Sequence, residues 1–308
     1  MIYTVTLNSA LDRFIVVEQL LTEDTTRILS ETAYAAGKGI NVSRVIRELG
    51  GHSVALGLVG GYEGLQLEGL LINAGVISDF TRISGETRTN IILREQTKSR
   101  QYIIGAAGPE VNATEIGLFY QNFNQIQNME YLILSGSLPR GVTPNHYGQL
   151  ILAGKKKNAF IVIDTDGKSL RESIEYQPTC IKPNTYELSR LAESELQTES
   201  EIMGFCEKIH QKGIPYILVS RGRKGLLLSA VKQKIKAIAP PVDVESTVGA
   251  GDSVVGGFVL AHSQGKDIED CVRLACAAGT ATAQTPGTEL CHRMDVEEIL
   301  SKVQISKL

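Results

Sequence analysis

Residues 247–253 read TVGAGDS, and the apolar run VVGGFVLA follows. Small residues let backbone N–H groups come close to an anion. If the apolar run is a helix, those N–H groups stand at its positive dipole end. Gly249, Ala250 and Gly251 would then form an anion hole. Asp252, in the first helical turn, would stand beside a transferring phosphoryl group as the base for an incoming hydroxyl. A plainer reading exists, because an aspartate in a first turn complements the dipole and glycines before a helix make a tight turn. The heptapeptide alone leaves both readings open.

Other nucleotide motifs do not form. Gly167-Lys168-Ser169 supplies the tail of a Walker A loop, but Val162 stands where its first glycine belongs. GLVGGYEG at 57–64 has the wrong spacing for a dinucleotide fingerprint, which argues against a nicotinamide enzyme.

The elements that must position the heptapeptide alternate between β and α. The pattern predicts strands at 3–7, 52–60, 131–136, 160–166 and 216–222, a short strand ending in IKPN (181–184), and a hairpin over 224–238. It predicts helices at 38–50, 63–75, 143–157, 186–192, 202–213, 250–264, 267–283 and near 295–303. Such alternation implies an α/β fold, a parallel sheet with helices on both faces. Residues 11–34 and 86–105 break the rhythm with strand-like runs and no clear helix, and read as a small β-sheet lid on one edge. No linker or repeat divides the 308 residues, so one domain with a lid is expected.

The 43% hydrophobic content supports a large core. The 31 basic residues do not exceed the 34 acidic ones, so no nucleic-acid partner is expected. Cys180, Cys206, Cys271, Cys276 and Cys291 form no C-x-x-C pair and read as buried thiols of a reducing compartment. The start MIYTVTLNSALDRF is not patterned as a signal peptide, and the apolar run at 254–261 is too short to span a membrane. A cytoplasmic protein without a membrane partner is expected.

With these motifs in order, the chain resembles the PfkB, ribokinase-like, family of sugar kinases, in the branch containing 1-phosphofructokinase and tagatose-6-phosphate kinase. The likeness runs from Met1 to about Leu300. It rests on TVTLNSALD (4–12), AGKGINVSRVIRELG (36–50), GLVGG (57–61), GETRTN (85–90), SGSLPRG (135–141), KPNTYEL (182–188), SRGRKG (220–225) and STVGAGDS (246–253). Departures fall at Ser9, where the branch carries proline, and at Ala36, where it carries glycine. Both bear on sugar preference.

The resemblance implies a ribokinase-like parallel-sheet α/β/α sandwich with a small β-sheet lid. It implies ATP-dependent phosphoryl transfer to a ketohexose monophosphate, foremost fructose 1-phosphate. Tagatose 6-phosphate and then fructose 6-phosphate are the alternatives, and a non-catalytic sugar- or nucleotide-binding regulator is the reading from another class. Intact Asp252 and Glu187 argue against the regulator.

The implied sugar site comprises Asp12, Gly37, Lys38, Gly39 and Asn41. Arg88, Arg140 and Arg27 would hold the substrate phosphate, Arg27 from a dimer partner across the lid. The implied nucleotide site comprises Lys182, Asn184, Ser220, Gly222, Gly225, Thr247, Gly249 and Gly251. Glu187 would bind Mg2+ through water. Backbone carbonyls of Ser246, Val248 and Gly287 match a K+ site of some relatives.

Overall fold

Runs such as YLILS and FIVID are apolar at every position, the mark of strands buried on both faces. A computed structural model of the chain describes residues 1–98 and 100–308. The chain opens with β1 (Ile2–Thr6), β2 (Ala10–Val17), β3 (Ile28–Ala36), α1 (Lys38–Glu48), β4 (Ser53–Val59), α2 (Gly61–Asn73) and β5 (Ile77–Arg82). It continues through β6 (Arg88–Glu95), β7 (Arg100–Ile104), α3 (Ala113–Gln125), β8 (Tyr131–Ser135), α4 (Asn145–Lys156), β9 (Phe160–Asp164), α5 (Gly167–Glu175) and β10 (Cys180–Ile181). It closes with α6 (Thr185–Ala192), α7 (Glu199–His210), β11 (Tyr216–Ser220), β12 (Leu226–Ala230), β13 (Gln233–Ile238), α8 (Ala250–Ser263), α9 (Ile268–Ala283), α10 (Arg293–Leu300) and β14 (Gln304–Lys307).

Ten strands form one sheet in the order β14-β13-β12-β11-β10-β9-β8-β1-β4-β5. From β11 to β5 the neighbours are parallel, whereas β11 to β14 pair antiparallel. Alternation of side chains along each strand divides the core in two. Leu132 and Leu134 of β8 face the core with α3, α4, α5, α6 and α7, while Ile133 faces the core with α1, α8, α9 and α10. The chain is thus the expected α/β/α sandwich. The two strand-like interruptions form a separate four-stranded sheet, β3-β2-β6-β7. Among the described residues no helix is long and apolar enough to cross a membrane.

Four elements were not anticipated. β5 is an edge strand of mixed burial, and β14 is a short C-terminal edge strand. α3 opens with an Asn112–Glu115 capping box and buries Ile116, Phe119 and Phe123. α5 starts at Gly167, so the Walker-like tail is a helix start capped by Asp166, with Lys168 exposed and paired to Glu172.

The glycines of VVGGFVLA set how closely α8 packs. A Cβ at Gly256 would lie 2.7 Å from Val45 Cγ1 on α1, and one at Gly257 would lie 2.9 Å from the Leu274 carbonyl oxygen on α9. A Cβ at Gly279 of α9 would in turn meet Val254 Cγ2 at 2.7 Å. Glycine here serves close helix approach, which brings the first turns of α1 and α8 together. Gly257→Ala is expected to cost about 1–3 kcal/mol in urea unfolding, because the Leu274 backbone must give way. Gly69→Ala on α2, where a Cβ meets nothing within 4 Å, is expected to stabilise by up to about 1 kcal/mol. Equal effects at the two sites would refute this account of α8 packing.

Candidate active site

Where β1 ends, Thr6 shapes the start of α1. Its Oγ1 accepts from the Ile40 backbone N–H at 3.0 Å and so caps the helix from outside. Gly37 has φ of +119°, and a Cβ there would lie 2.6 Å from Thr6 Cγ2. A Cβ on Gly39 would lie 2.7 Å from Thr6 Oγ1. Only glycines on either side of Lys38 allow this seating, which points Lys38 over the carboxyl ends of β8 and β9.

There Lys38 Nζ donates to Asp164 Oδ1 at 2.9 Å and lies 4.0 Å from Glu187 Oε1. Lys182, just past β10, reaches the same Asp164 oxygen at 3.4 Å. Asp164 is fully buried, and its Oδ2 has no hydrogen-bond partner. Burial would raise its pKa, but Lys182 and Lys38 hold it below the ordinary value. Burial would lower Lys38, but Asp164, Asp252 and Glu187 hold it above the usual lysine range.

α8 begins at Ala250 with Gly249 as its N-cap in the left-handed region, φ +78°, and no side chain caps the first turn. Lys182 Nζ lies over this turn, only 3.2 Å from where a Gly251 Cβ would be. Asp252 is buried, and its Oδ2 accepts from Asn41 Nδ2 at 2.8 Å. Burial, then the Asp164 charge, push the Asp252 carboxyl up to about 7, against the pull of Lys38, Asn41 and Lys182. A carboxylate tuned near neutrality can accept a proton at working pH.

Asn184 and Glu187 form a capping box at α6. Glu187 N–H donates to Asn184 Oδ1 at 2.9 Å, and Asn184 N–H donates to Glu187 Oε2 at 2.8 Å. Glu187 Oε1 stays turned to Lys38. Asn184 bridges to Ser220 at the end of β11. Gly222 has φ of +56° and open space at its Cβ, whereas Gly225 is required by packing, its Cβ falling 2.1 Å from the Ala237 carbonyl oxygen. Thr247 is exposed.

The second cluster joins the two sheets. Asp12 of β2 is buried opposite Asn90 of β6, and Asn90 Nδ2 donates to Asp12 Oδ1 at 2.8 Å. Burial raises Asp12, while Asn90, Arg88 and Arg44 act against it. Arg88 donates to the Ala106 carbonyl at 2.8 Å and the Asn8 carbonyl at 3.1 Å, and its buried Nε is unpaired. Asn8 Nδ2 donates to the Ala107 carbonyl and to Ser137 Oγ, both at 3.1 Å. Arg27 and Arg140 are exposed and make no side-chain hydrogen bond or ion pair among the described residues. Ser246 Oγ donates to the Gly287 carbonyl at 2.7 Å and accepts from Val248 N–H at 3.3 Å, so these three positions do meet.

Sequence reasoning missed Asp164, Arg44, Asn90, Asn8 and Ser137. The signal for Asp164 was present in FIVIDTD, an acid at the end of a buried strand. Asn8, Asn90 and Ser137 lie inside motifs quoted for other residues. Among the described residues, Asn8 Oδ1, Arg88 Nε, Ser135 Oγ and Asp164 Oδ2 are four of six buried side-chain polar atoms with no partner. Each such atom costs about 1–3 kcal/mol, and their gathering here marks a surface built for a ligand.

Residues 1–294 match the profile of the pfkB family of carbohydrate kinases. The chain is 34% identical to 1-phosphofructokinase of Borreliella burgdorferi, over 100% of this chain and 99% of the other. It is 31% identical to D-tagatose-1-phosphate kinase of Bacillus licheniformis over the full length of both. It superposes on phosphofructokinase-2 of Escherichia coli, crystallised in complex with potassium, with a TM-score of 0.93 at 32% identity, covering 97% of this chain and 98% of the other. With its ordered motifs, its fold and its full-length relatives in agreement, the chain belongs to the pfkB family of carbohydrate kinases.

Proposed function

We propose that the protein is a 1-phosphofructokinase, moving the γ-phosphoryl group of ATP to the 6-hydroxyl of fructose 1-phosphate. The observation that carries this reading is Asp252, a buried carboxylate raised to about 7 in the first turn of an uncapped helix, with the Lys182 ammonium over that turn. Asp252 Oδ1 takes the proton of the 6-hydroxyl as the hydroxyl oxygen bonds to the γ-phosphorus. The bond to the β-phosphate oxygen breaks, and ADP leaves. N–H groups of the Gly249–Gly251 turn, with Lys38 and Lys182, receive the phosphoryl oxygens. Asp12 and Asn90 accept and donate hydrogen bonds to the sugar hydroxyls. Arg88 and Arg140, with Arg27 from a second copy, hold the 1-phosphate. The four-stranded sheet acts as the lid that keeps water from competing as acceptor.

Two ions fit the residues present. Mg2+ takes one or two carboxylates plus substrate phosphates and keeps several waters. The unpaired Asp164 Oδ2 and the inward Glu187 Oε1 match that donor set, and the ion would offset charge on the phosphates. K+ prefers carbonyl oxygens. The Ser246, Val248 and Gly287 backbone, with the buried unpaired Thr288 Oγ1 beside it, suits such an ion.

A second copy would cover the small sheet. Its edge strands β3 and β7 leave Ile28, Leu29, Ile103 and Ile104 between 53% and 62% exposed. Sedimentation should show a dimer that Ile103→Lys weakens; a wild-type monomer at assay concentration would remove this part of the reading.

The relative named for tagatose 1-phosphate favours a second substrate with the same phosphate position. ATP consumption should be fastest with fructose 1-phosphate among fructose 1-phosphate, tagatose 1-phosphate, tagatose 6-phosphate and fructose 6-phosphate. Turnover with none of them sinks the proposal. Asp252→Asn should lower kcat by about 10² to 10⁴ with KM little changed.

The folded protein holds the Asp252 proton more tightly than the unfolded chain does. This group's contribution to stability is therefore full below about pH 4 and lost as pH rises through about 7. Ionised Asp252 is the active form, so kcat/KM should fall with a single-proton slope below about pH 7. Lys38 pulls that pKa down, so Lys38→Met should move the limb to higher pH. A limb unmoved by Lys38→Met belongs to the substrates instead.

A further inference from the structure

Asn41 was expected to face the sugar, yet both ends of its amide are engaged inside the protein. Nδ2 donates to Asp252 Oδ2 at 2.8 Å, and Oδ1 accepts from Arg44 Nη1 at 3.3 Å. An amide between a carboxylate and a guanidinium has one orientation that satisfies both neighbours. Turned over, its oxygen would face the carboxylate and its NH2 group the cation. Arg44 lies one turn along α1 from Asn41, at the spacing where helix side chains meet.

Arg44 is itself held by the small sheet. Nη1 donates to the Ala35 carbonyl at 2.9 Å, and the guanidinium carbon lies 5.7 Å from the Tyr34 ring centroid. Both residues belong to β3, and Tyr34 pairs directly with Asp12 on β2. Burial lowers the Arg44 pKa, while Tyr34, Asp12, Glu289 and Asp252 favour its charge, so the carboxylates of β2 and α8 both act on it.

We infer that Arg44 is a positioning residue: it locks the Asn41 amide so that Asp252 presents its free Oδ1 to the acceptor hydroxyl, and it makes that lock depend on the seat of β3. This rests on the reading of Asp252 as the base. Loss of the guanidinium frees the amide to turn and releases the carboxylate. The chemical step slows while nucleotide and sugar contacts persist. Because Arg44 works through Asn41, its removal has no further effect once Asn41 is gone.

The test is a double-mutant cycle on the full-length enzyme, with kcat and both KM values measured for ATP and the best phosphosugar. Arg44→Met is expected to lower kcat about 10- to 100-fold, with each KM within about threefold of wild type. Asn41→Ala should show a comparable fall, and the Arg44→Met/Asn41→Ala pair should match Asn41→Ala within about twofold. An Arg44→Met enzyme with wild-type kcat, or falls that multiply in the pair, overturns the inference.

If Arg44→Met does not fold by circular dichroism, Arg44→Lys serves in the same cycle. Its single ammonium on a shorter stem cannot serve the Ala35 carbonyl and Asn41 in the same geometry. A kcat fall of about threefold or more, absent on the Asn41→Ala background, supports the relay; an equal fall on both backgrounds overturns it. Asp252→Asn separates the two levels of the argument. Retained turnover in that variant removes the base itself, whereas its loss beside multiplying Arg44 and Asn41 effects removes only the relay.

Discussion

Everything in the cleft depends on one fully buried carboxylate, Asp164, which holds the Lys38 and Lys182 ammoniums against a single oxygen. A charge in such a place is tolerated only when paired. Asp164 pairs with both lysines and holds Lys38 above the usual lysine range, and its own charge adds to burial in raising Asp252 to about 7. At the α8 end of the cleft two ammoniums face three carboxylates, Asp164, Glu187 and Asp252. Incoming phosphates would compete with Asp164 for lysines that are already paired, and the proposed Mg2+ would offset part of the phosphate charge. Tight preorganisation of this kind is what phosphoryl transfer asks of a protein, since positioning and charge supply most of the catalysis.

Glycine makes the arrangement possible by subtraction. Gly37 and Gly39 seat α1 on the end of β1, and Gly256, Gly257 and Gly279 draw α1, α8 and α9 close. The outcome is that Asn41 in the first turn of α1 meets Asp252 in the first turn of α8. A helix pair kept apart by alanines would separate these groups by more than a hydrogen bond. Packing density and site geometry are here the same property.

The small sheet contributes in another way. β2 and β6 bring Asp12 and Asn90 into register, so the pair proposed to face the sugar is a cross-strand pair of the small sheet. β3 reaches back through Ala35 and Tyr34 to Arg44 on the main body. The sheet is thus tied to the cleft by specific polar contacts as well as by chain connection, and its placement is part of the site.

Much of this could be read in the residues. The continuous apolar strands, the helical periodicities and the ordered motifs point to the sandwich and to phosphoryl transfer, because backbone preference, helix dipoles and glycine freedom act within a few residues of chain. Asp252 was recognisable for that reason, whereas Lys38 and Lys182 entered through the family resemblance. The edge strand β5, the polar start of α3 and the role of Asp164 were not, because burial on one face or at one strand end leaves little periodic trace. Nor could the sequence say that Asn41 spends its amide on Asp252, 211 positions away, or that Lys38 is held by Asp164, 126 positions away. Such pairings arise when distant elements converge, and the energy of a hydrogen bond or ion pair depends on that convergence and on the exclusion of water. Residue types carry the chemistry; packing selects which of them touch.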